Sequence, residues 1–410
     1  MNNALETLKQ RGFVKQSTDE KALEVALDTK GQVFYIGFDP TADSLHAGSL
    51  VPIMAIAQLQ RAGHFPICII GGGTTMIGDP SGKTEMRRIM TREEIDSNGE
   101  KILAQLKRYA VLDGKQGLFL NNADWLLNLN YIDFLRDIGR YFKINEMIRS
   151  ESYKQRLDRQ EGLSFIEFNY QVLQAYDFLV LFNNHNCTIQ MGGDDQWGNI
   201  LAGNDLIRKV TGKNVHALTF PLLTTAAGRK MGKTESGTIW LDPKKTSPYE
   251  FYQYWINTDD RDVVSFLKFF TFLPFEQIKE LEKLKGADIR QAKEILAFET
   301  TKLAHGEEEA EKARKASRAA FGKTNEGIDS MPTSTIARER FIKGVTLTDL
   351  FIETGLAETR AEVQRLAEQG GAYVQGEKVL SAKTLITEEM FREGELLLSS
   401  GKKKRHRVVT

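Results

Sequence analysis

One stretch, Val33–Gln60, limits what this chain can fold into more than any other: VFYIGFDPTADSLHAGSLVPIMAIAQLQ. Val33–Phe38 is rich in aromatic and β-branched residues, the composition of a strand. The polar run Asp39–Ser44 is a turn, and the apolar run after it has helical character to about Arg61, where Gly63 stops it. Pro52 fits because it falls in the first turn, where amide donors have no helical acceptor. Strand, tight turn and helix form a unit that aims backbone amides and a positive helix end at an anion. Gly48 lets a ligand approach the backbone, and His46 stands where a ring donor can reach a phosphate oxygen. The usual dinucleotide fingerprint, GxGxxG, is missing from it. Taken alone, the stretch fits equally well any strand-to-helix turn that carries a surface histidine.

The same pattern recurs along the chain. Phe65–Ile70 is a short continuous apolar run of the kind a parallel sheet buries on both faces, and Leu118–Leu120 is a further strand, closed by Asn121 and Asn122. Cys187–Gly193 is a strand leading into Asp194-Asp195-Gln196-Trp197 and a helix over Asn199–Val210, closed by Gly212. His216–Leu223 is the last strand of the series. Strands alternating with helices predict a parallel α/β sheet, with ligands at the carboxyl ends where its two halves meet.

Helices are expected over 1–30, ended by Gly31, over 91–112 with a Thr91/Glu94 capping box, and over 131–160 with a wide apolar face. The apolar helix 163–182 carries Tyr170, Gln174 and Asp177 on one face. Flanking Phe165, Phe168, Leu173 and Phe178 place that polar stripe in a largely buried element, where a polar ligand would satisfy it. Two polar loops stand out. Gly78–Thr84 has three residues between its first glycine and the Gly-Lys pair, where a P-loop needs four, so it is a loop bearing Lys83 and Arg87 rather than a P-loop. Ala227–Gly237 contains Lys230-Met231-Gly232-Lys233-Thr234. Each is open to the plainer reading of solvated surface charge.

Residues 246–321 turn helical with dense alternating charge, 322–341 read as a linker, and 342–410 alternate helix and strand before a basic tail, Lys402–Arg407. Lysine and arginine number 55, as do aspartate and glutamate, so no uniform basic coat exists and any RNA contact must be local. Cys68 and Cys187 lie in apolar strand-like runs and read as small buried hydrophobes, not as a disulfide or metal site. No apolar run approaches membrane-spanning length and the N-terminus lacks an apolar signal core, which together suggest a cytoplasmic protein without a membrane partner.

With these residues in view, the chain resembles the bacterial-type tyrosyl-tRNA synthetases of the class I aminoacyl-tRNA synthetase family. Tyr35–His46 looks like the tyrosyl version of the first class I signature, HxGH, with Ser49 in place of its second histidine. Lys230–Thr234 resembles the second signature, KMSKS in consensus, and Gly192–Asn199 is tyrosyl-like in wording. The likeness covers essentially the whole chain. It implies an α/β fold: a Rossmann-like parallel-sheet catalytic domain over 1–245, with a helical dimerisation insert at about 121–160. An α-helical anticodon-arm-binding domain over 246–321 follows, then the linker and a small α+β RNA-binding domain over 342–410.

The implied reaction joins tyrosine to ATP as tyrosyl-adenylate, releases pyrophosphate, and transfers the tyrosyl group to the 3′ end of tRNA(Tyr). A carboxylate is already ionised at neutral pH, so the first step needs positioning and charge stabilisation rather than a general base. The resemblance gives that task to His46, Thr41, Lys230, Lys233 and Thr234, with Lys83 and Arg87 closing on pyrophosphate from a mobile loop. It places Tyr35 and Asp177 on the substrate phenol, and Asp79, Tyr170 and Gln174 on its ammonium group, with Gln196 nearby. ATP falls to Asp39, Gly48, Ser49, Gly193, Asp195, Met231 and Lys233, while Ile36 stands where relatives use a cysteine against the ribose. The implied partners are tRNA(Tyr), L-tyrosine, ATP with Mg2+ and a second copy of the chain. No tightly bound cofactor and no protein metal cage are expected. Activation of tryptophan, or an RNA-binding descendant without catalysis, are the competing readings.

Overall fold

The structure is a computed structural model that describes residues 3–79, 90–149, 153–154, 164–234, 237–321, 331–392, 394–401 and 404–410. It divides into two units, Met1–Asp242 with Asp259–Lys285, and Pro243–Thr258 with Gly286–Thr410.

The first unit is built on β1 (Gln16–Ser17), β2 (Val33–Phe38), β3 (Phe65–Ile70), β4 (Leu118–Asn121), β5 (Cys187–Gly193) and β6 (His216–Phe220), in the order β1-β6-β5-β2-β3-β4. Neighbours from β6 to β4 are parallel, and only β1 runs antiparallel, against β6. The chain places β3 and β4 on one side of β2 and then β5 and β6 on the other. The topological switch therefore falls between β2 and β5, and their carboxyl ends open the crevice in which ligands of such sheets bind.

Ten helices of this unit are labelled in chain order: α1 (Ala4–Arg11), α2 (Glu20–Asp28), α3 (Leu50–Arg61), α4 (Gly72–Ile77), α5 (Arg92–Leu106), α6 (Ala123–Leu126), α7 (Tyr131–Asp137), α8 (Ile144–Met147), α9 (Phe165–His185) and α10 (Trp197–Thr211). The core beside the crevice joins Tyr35, Ile67 and Ile69 of the sheet to Ala175, Phe178 and Leu181 of α9 and Leu206 and Ile207 of α10. Each large apolar side chain buried there contributes roughly 1.5–3 kcal/mol.

Several expected boundaries move. The helix expected over 1–30 is two helices, because Gly12 takes a left-handed φ of 93° and turns the chain into β1. The capping box is present, but α5 ends at Leu106 rather than at 112. The helix expected over 131–160 is broken into α7, a turn at Gly139–Tyr141, and α8, since Phe142 and Lys143 adopt extended backbone. Residues 150–152 and 155–160 of that expectation lie outside the described ones.

The block read as one helical domain, 246–321, is split between the units. Arg11 explains why 259–285 belongs with the sheet. Its guanidinium donates to the carbonyls of Lys268, Thr271 and Leu273 at 3.0, 2.8 and 2.8 Å, satisfying the open end of the helix Val263–Phe270. Phe13 meets Phe269 edge-on at 5.0 Å beside it.

In the second unit, the helices Pro248–Ile256, Ile289–His305 and Glu307–Phe321 precede a five-stranded sheet. Its order is Glu377–Lys378, Ala372–Val374, Glu395–Ser400, Lys404–Val409 and Thr333–Thr335. Two expectations are corrected here. Part of the linker read over 322–341 is a strand, because Thr333–Thr335 pairs parallel with Arg407–Val409 and Ile336 is buried; residues 322–330 lie outside the described ones. The basic tail is also a strand: Val408 and His406 point into the module, His406 Nε2 lies 2.9 Å from Ser334 Oγ, and Arg407 pairs with Glu395. Lys402 and Lys403 lie outside the described residues.

Candidate active site

The crevice is lined from both sides by the loops that leave β2 and β5. After β2, Asp39 starts the turn and Thr41 is exposed on it, with the Thr41 amide donating to Asp39 O at 2.8 Å. His46 then caps the turn Ala47–Ser49 that enters α3. Its Nδ1 accepts from the Gly48 amide at 3.0 Å. Burial, and after it the charge of Lys233, hold the His46 imidazole below its usual value, so the ring is neutral at pH 7. Because Nδ1 accepts, the ring proton sits on Nε2, which gives a neutral donor at the positive end of a helix. Ser49 turns back on the same cap, its Oγ 3.5 Å from the His46 amide.

The loop expected to carry the second signature docks on this turn. Ala47 N donates to Ile239 O, Leu241 N to Leu45 O, and Ile239 N to Gly232 O, at 2.8, 2.8 and 2.9 Å. His46 and Trp240 form a backbone bridge, with their rings 6.3 Å apart. The contact needs two glycines. A Cβ at Gly48 would lie 2.7 Å from Met231 O, and one at Gly232, whose φ is 80°, would lie 2.6 Å from Gly48 N. Met231 is buried beneath, while Lys230 and Lys233 are exposed. Thr234, expected to face phosphate, donates instead to Gly237 O at 3.0 Å in this state.

The far end of the crevice is dry. Asp177 on α9 is 4% exposed and accepts from Asn122 Nδ2 at 2.9 Å and Trp125 Nε1 at 2.7 Å. Burial pushes its carboxyl up to about 7, against the downward pull of those two donors. The Tyr35 ring packs 5.3 Å from Phe178, and its buried hydroxyl has no partner among the described residues. Burial first, and then the nearby Asp177, drive the Tyr35 phenol well above its ordinary value. One acceptor and one unpaired hydroxyl, both buried, form a pocket end suited to a single further hydroxyl.

Between these ends runs a polar chain. Gln196 Nε2 donates to Asp79 Oδ2 at 2.7 Å, and Asn199 Nδ2 donates to Gln196 Oε1 and Gln174 Oε1 at 3.0 and 3.2 Å. Tyr170 Oη donates to Asp39 Oδ2 at 3.4 Å, so the structure links Asp39, expected on ribose, to a residue expected on the ammonium. Asp195 keeps solvent access at the rim beside Gly193, yet desolvation and then Asp79 raise its carboxyl above the usual range. The chain thus joins Asp79, Gln174 and Gln196, with Tyr170 and Asp39 beside them.

Lys83 and Arg87 lie outside the described residues. Sequence reasoning missed Asn122, Trp125 and Asn199. Asn122 also donates to Thr74 Oγ1 at 3.0 Å and accepts from the Gly73 amide at 2.8 Å, so it ties β4 to α4 and to Asp177. Its position immediately after a parallel strand was the available signal. The described residues contain no group of three His, Cys, Asp or Glu side chains that could hold a metal ion. A cavity of about 1120 Å³ beside the crevice shares Asp194 and Asp195 with it but none of Tyr35, His46 and Asp177, so it is a neighbouring groove.

The sequence model of a family described as tRNA synthetases class I (W and Y) matches residues 28–322. A tyrosine–tRNA ligase of Desulfatibacillum aliphaticivorans is 51% identical, covering 99% of this chain and 98% of its own. One of Syntrophus aciditrophicus is 52% identical, covering 98% of each. Among solved structures, a C-terminally truncated mitochondrial tyrosyl-tRNA synthetase of Aspergillus nidulans superimposes with a TM-score of 0.70 at 31% identity, over 78% of this chain and 95% of that one.

Proposed function

The chain belongs to the class I tRNA synthetases of the tryptophanyl and tyrosyl group, its activity is that of a tyrosine–tRNA ligase, and we propose how its residues divide the work. The phenol of tyrosine enters the dry end, where it donates to Asp177 and accepts from Tyr35. Asp79 faces the ammonium group, with Tyr170, Gln174 and Gln196 orienting it. The tyrosine carboxylate then meets the α-phosphorus of ATP at the first-signature turn. ATP lies along Asp39, Gly48, Ser49, Gly193, Asp195 and Met231, and Mg2+ entering with it would offset charge on its phosphates.

As the carboxylate oxygen bonds to phosphorus and the bond to pyrophosphate breaks, negative charge moves onto the phosphate oxygens. The His46 Nε2–H, Thr41, Lys230, Lys233 and Thr234 are the donors for that charge, with Lys83 and Arg87 proposed to join them. Donors that strengthen only in the transition state are worth on the order of 3 kcal/mol each. In the second step a ribose hydroxyl of the tRNA terminal adenosine attacks the activated carbonyl and AMP leaves.

The observation that carries this reading is the buried group of Tyr35, Asp177 and Asn122, closed by the half-buried Trp125. The test is pyrophosphate exchange into ATP across a panel of amino acids. Tyrosine alone should support it; comparable exchange with tryptophan or phenylalanine would contradict the pocket.

Three wider readings rest on less. The exposed apolar side chains Tyr131, Ile132, Ile144 and Phe165 suit cover by a second copy, a homodimer. The module around the sheet from Thr333 onward is the tRNA(Tyr)-binding domain, with the helices before it on the anticodon arm. Ending the chain at Phe321 should then spare tyrosine-dependent exchange and abolish charging of tRNA; equal charging would remove the module from that role. The setting is the cytoplasm. No described helix is long and apolar enough to cross a membrane.

A further inference from the structure

The three-residue turn Asp194–Gln196 joins β5 to α10. Asp195 and Gln196 are assigned above to nucleotide and amino acid, while Asp194 is assigned to neither. Its Oδ1 accepts from Gln16 Nε2 at 2.6 Å and from Thr219 Oγ1 at 2.8 Å. Gln16 and Thr219 face each other in register across β1 and β6. One carboxylate oxygen therefore collects a donor from each of two paired strands. Bonds of this kind to a charged acceptor are short and directional.

The turn needs such a hold. It has no side-chain cap at its own start, and the helix it enters has none either. Yet its last residue must keep Gln196 Nε2 within 2.7 Å of Asp79 and Gln196 Oε1 within 3.0 Å of Asn199. The strand that supplies Gln16 is two residues long and is the one antiparallel member of the sheet.

We propose that Asp194 is a positioning residue, which clamps this turn to the β1–β6 edge and thereby sets the aim of Asp195 and Gln196. The proposal rests on the assignment of those two residues to substrate binding. It predicts that the N-terminal segment before β2, which contributes no residue to either signature, acts on substrate affinity through Gln16.

The test uses the full chain in tyrosine-dependent pyrophosphate exchange, with KM for ATP and tyrosine read separately from kcat. Asp194→Ala should raise KM about tenfold with a smaller change in kcat. Asp194→Asn keeps an acceptor oxygen and should return KM to within about twofold of the parent, which a purely electrostatic role would not allow. Gln16→Ala and Thr219→Val should each raise KM less, and Gln16→Ala should add little on top of Asp194→Ala. Unchanged KM in Asp194→Ala, or an Asn variant as impaired as the Ala variant, would overturn the clamp. Asp195→Ala and Gln196→Ala serve as the reference. If they too leave KM unchanged, the substrate-site assignment fails and the clamp with it; if they raise KM while Asp194→Ala does not, only the clamp fails.

Discussion

The two ends of the candidate site are built on opposite principles. At the Asp177 end Asp177, Asn122 and the Tyr35 hydroxyl are buried and Trp125 is half-buried, and the group is placed by side chains from three elements: Asn122 after β4, Trp125 on α6, and Tyr35 on β2. At the Lys233 end Lys230 and Lys233 are exposed, while the backbone around them is pinned through Gly232, Ile239 and the His46 turn. A rigid, dry end suits recognition of the bound substrate, because a wrong ligand leaves buried groups unpaired. An end with fixed backbone and exposed lysine side chains suits charge that exists only during the reaction. The difference teaches that affinity and rate should be separable by mutation.

The largest expected effect is on amino-acid choice. Phenylalanine offers nothing to Asp177 or Tyr35, so kcat/KM should favour tyrosine by roughly 10⁴–10⁵, a magnitude known from tyrosyl-tRNA synthetases themselves and borrowed for this chain. Tyr35→Phe removes a hydroxyl that has no partner among the described residues; folding stability should hold while discrimination shrinks by about tenfold. Equal kcat/KM for the two amino acids in the parent protein would break the comparison at its buried end.

Next in size is a pH effect on stability. The Asp177 carboxyl, ordinarily near 3.8, is pushed up to about 7 in the folded chain. Between those values the native state holds a proton that the unfolded state has released. Asp177 therefore costs stability increasingly as pH rises through that window, by up to about 4 kcal/mol, and the cost is absent below it. Asp177→Asn cannot titrate. Urea unfolding of both proteins from pH 4.5 to 8 should show the variant gaining on the parent as pH rises; a pH-independent difference would mean that the pocket end is wet.

The smallest effect sharpens the other end. Gly232→Ser restores the consensus residue, but its Cβ would press on Gly48 N, a backbone atom that cannot swing aside, at a strained φ. Adenylate formation should slow by about tenfold with tyrosine affinity unchanged. An active serine variant would show that the backbone docking is dispensable.

The sequence made the backbone-driven features legible and hid those set by distant side chains. The β2 turn, the strand at Cys187–Gly193 and the polar face of α9 were readable because strand composition, glycine placement and helical period are local signals. Asn122 and Trp125 were not, since they reach Asp177 across 55 and 52 residues of chain. Arg11 reaches Thr271 across 260, which is why 259–285 returned to the sheet unit unforeseen. At the C-terminus the charge of Lys404–Arg407 masked a strand alternation that places His406 and Val408 inward. That misplacement weakens the basic run as a free handle for RNA.

The division of labour is tested most directly by single-turnover adenylate formation in Lys233→Ala, followed over a range of tyrosine concentrations. One titration yields both the plateau rate and the half-saturating tyrosine concentration. The plateau should fall by about 10²–10³ with the half-saturation point unmoved, since Lys233 acts on charge that develops only in the transition state. A plateau near that of the parent protein, with half-saturation shifted upward, would contradict the account.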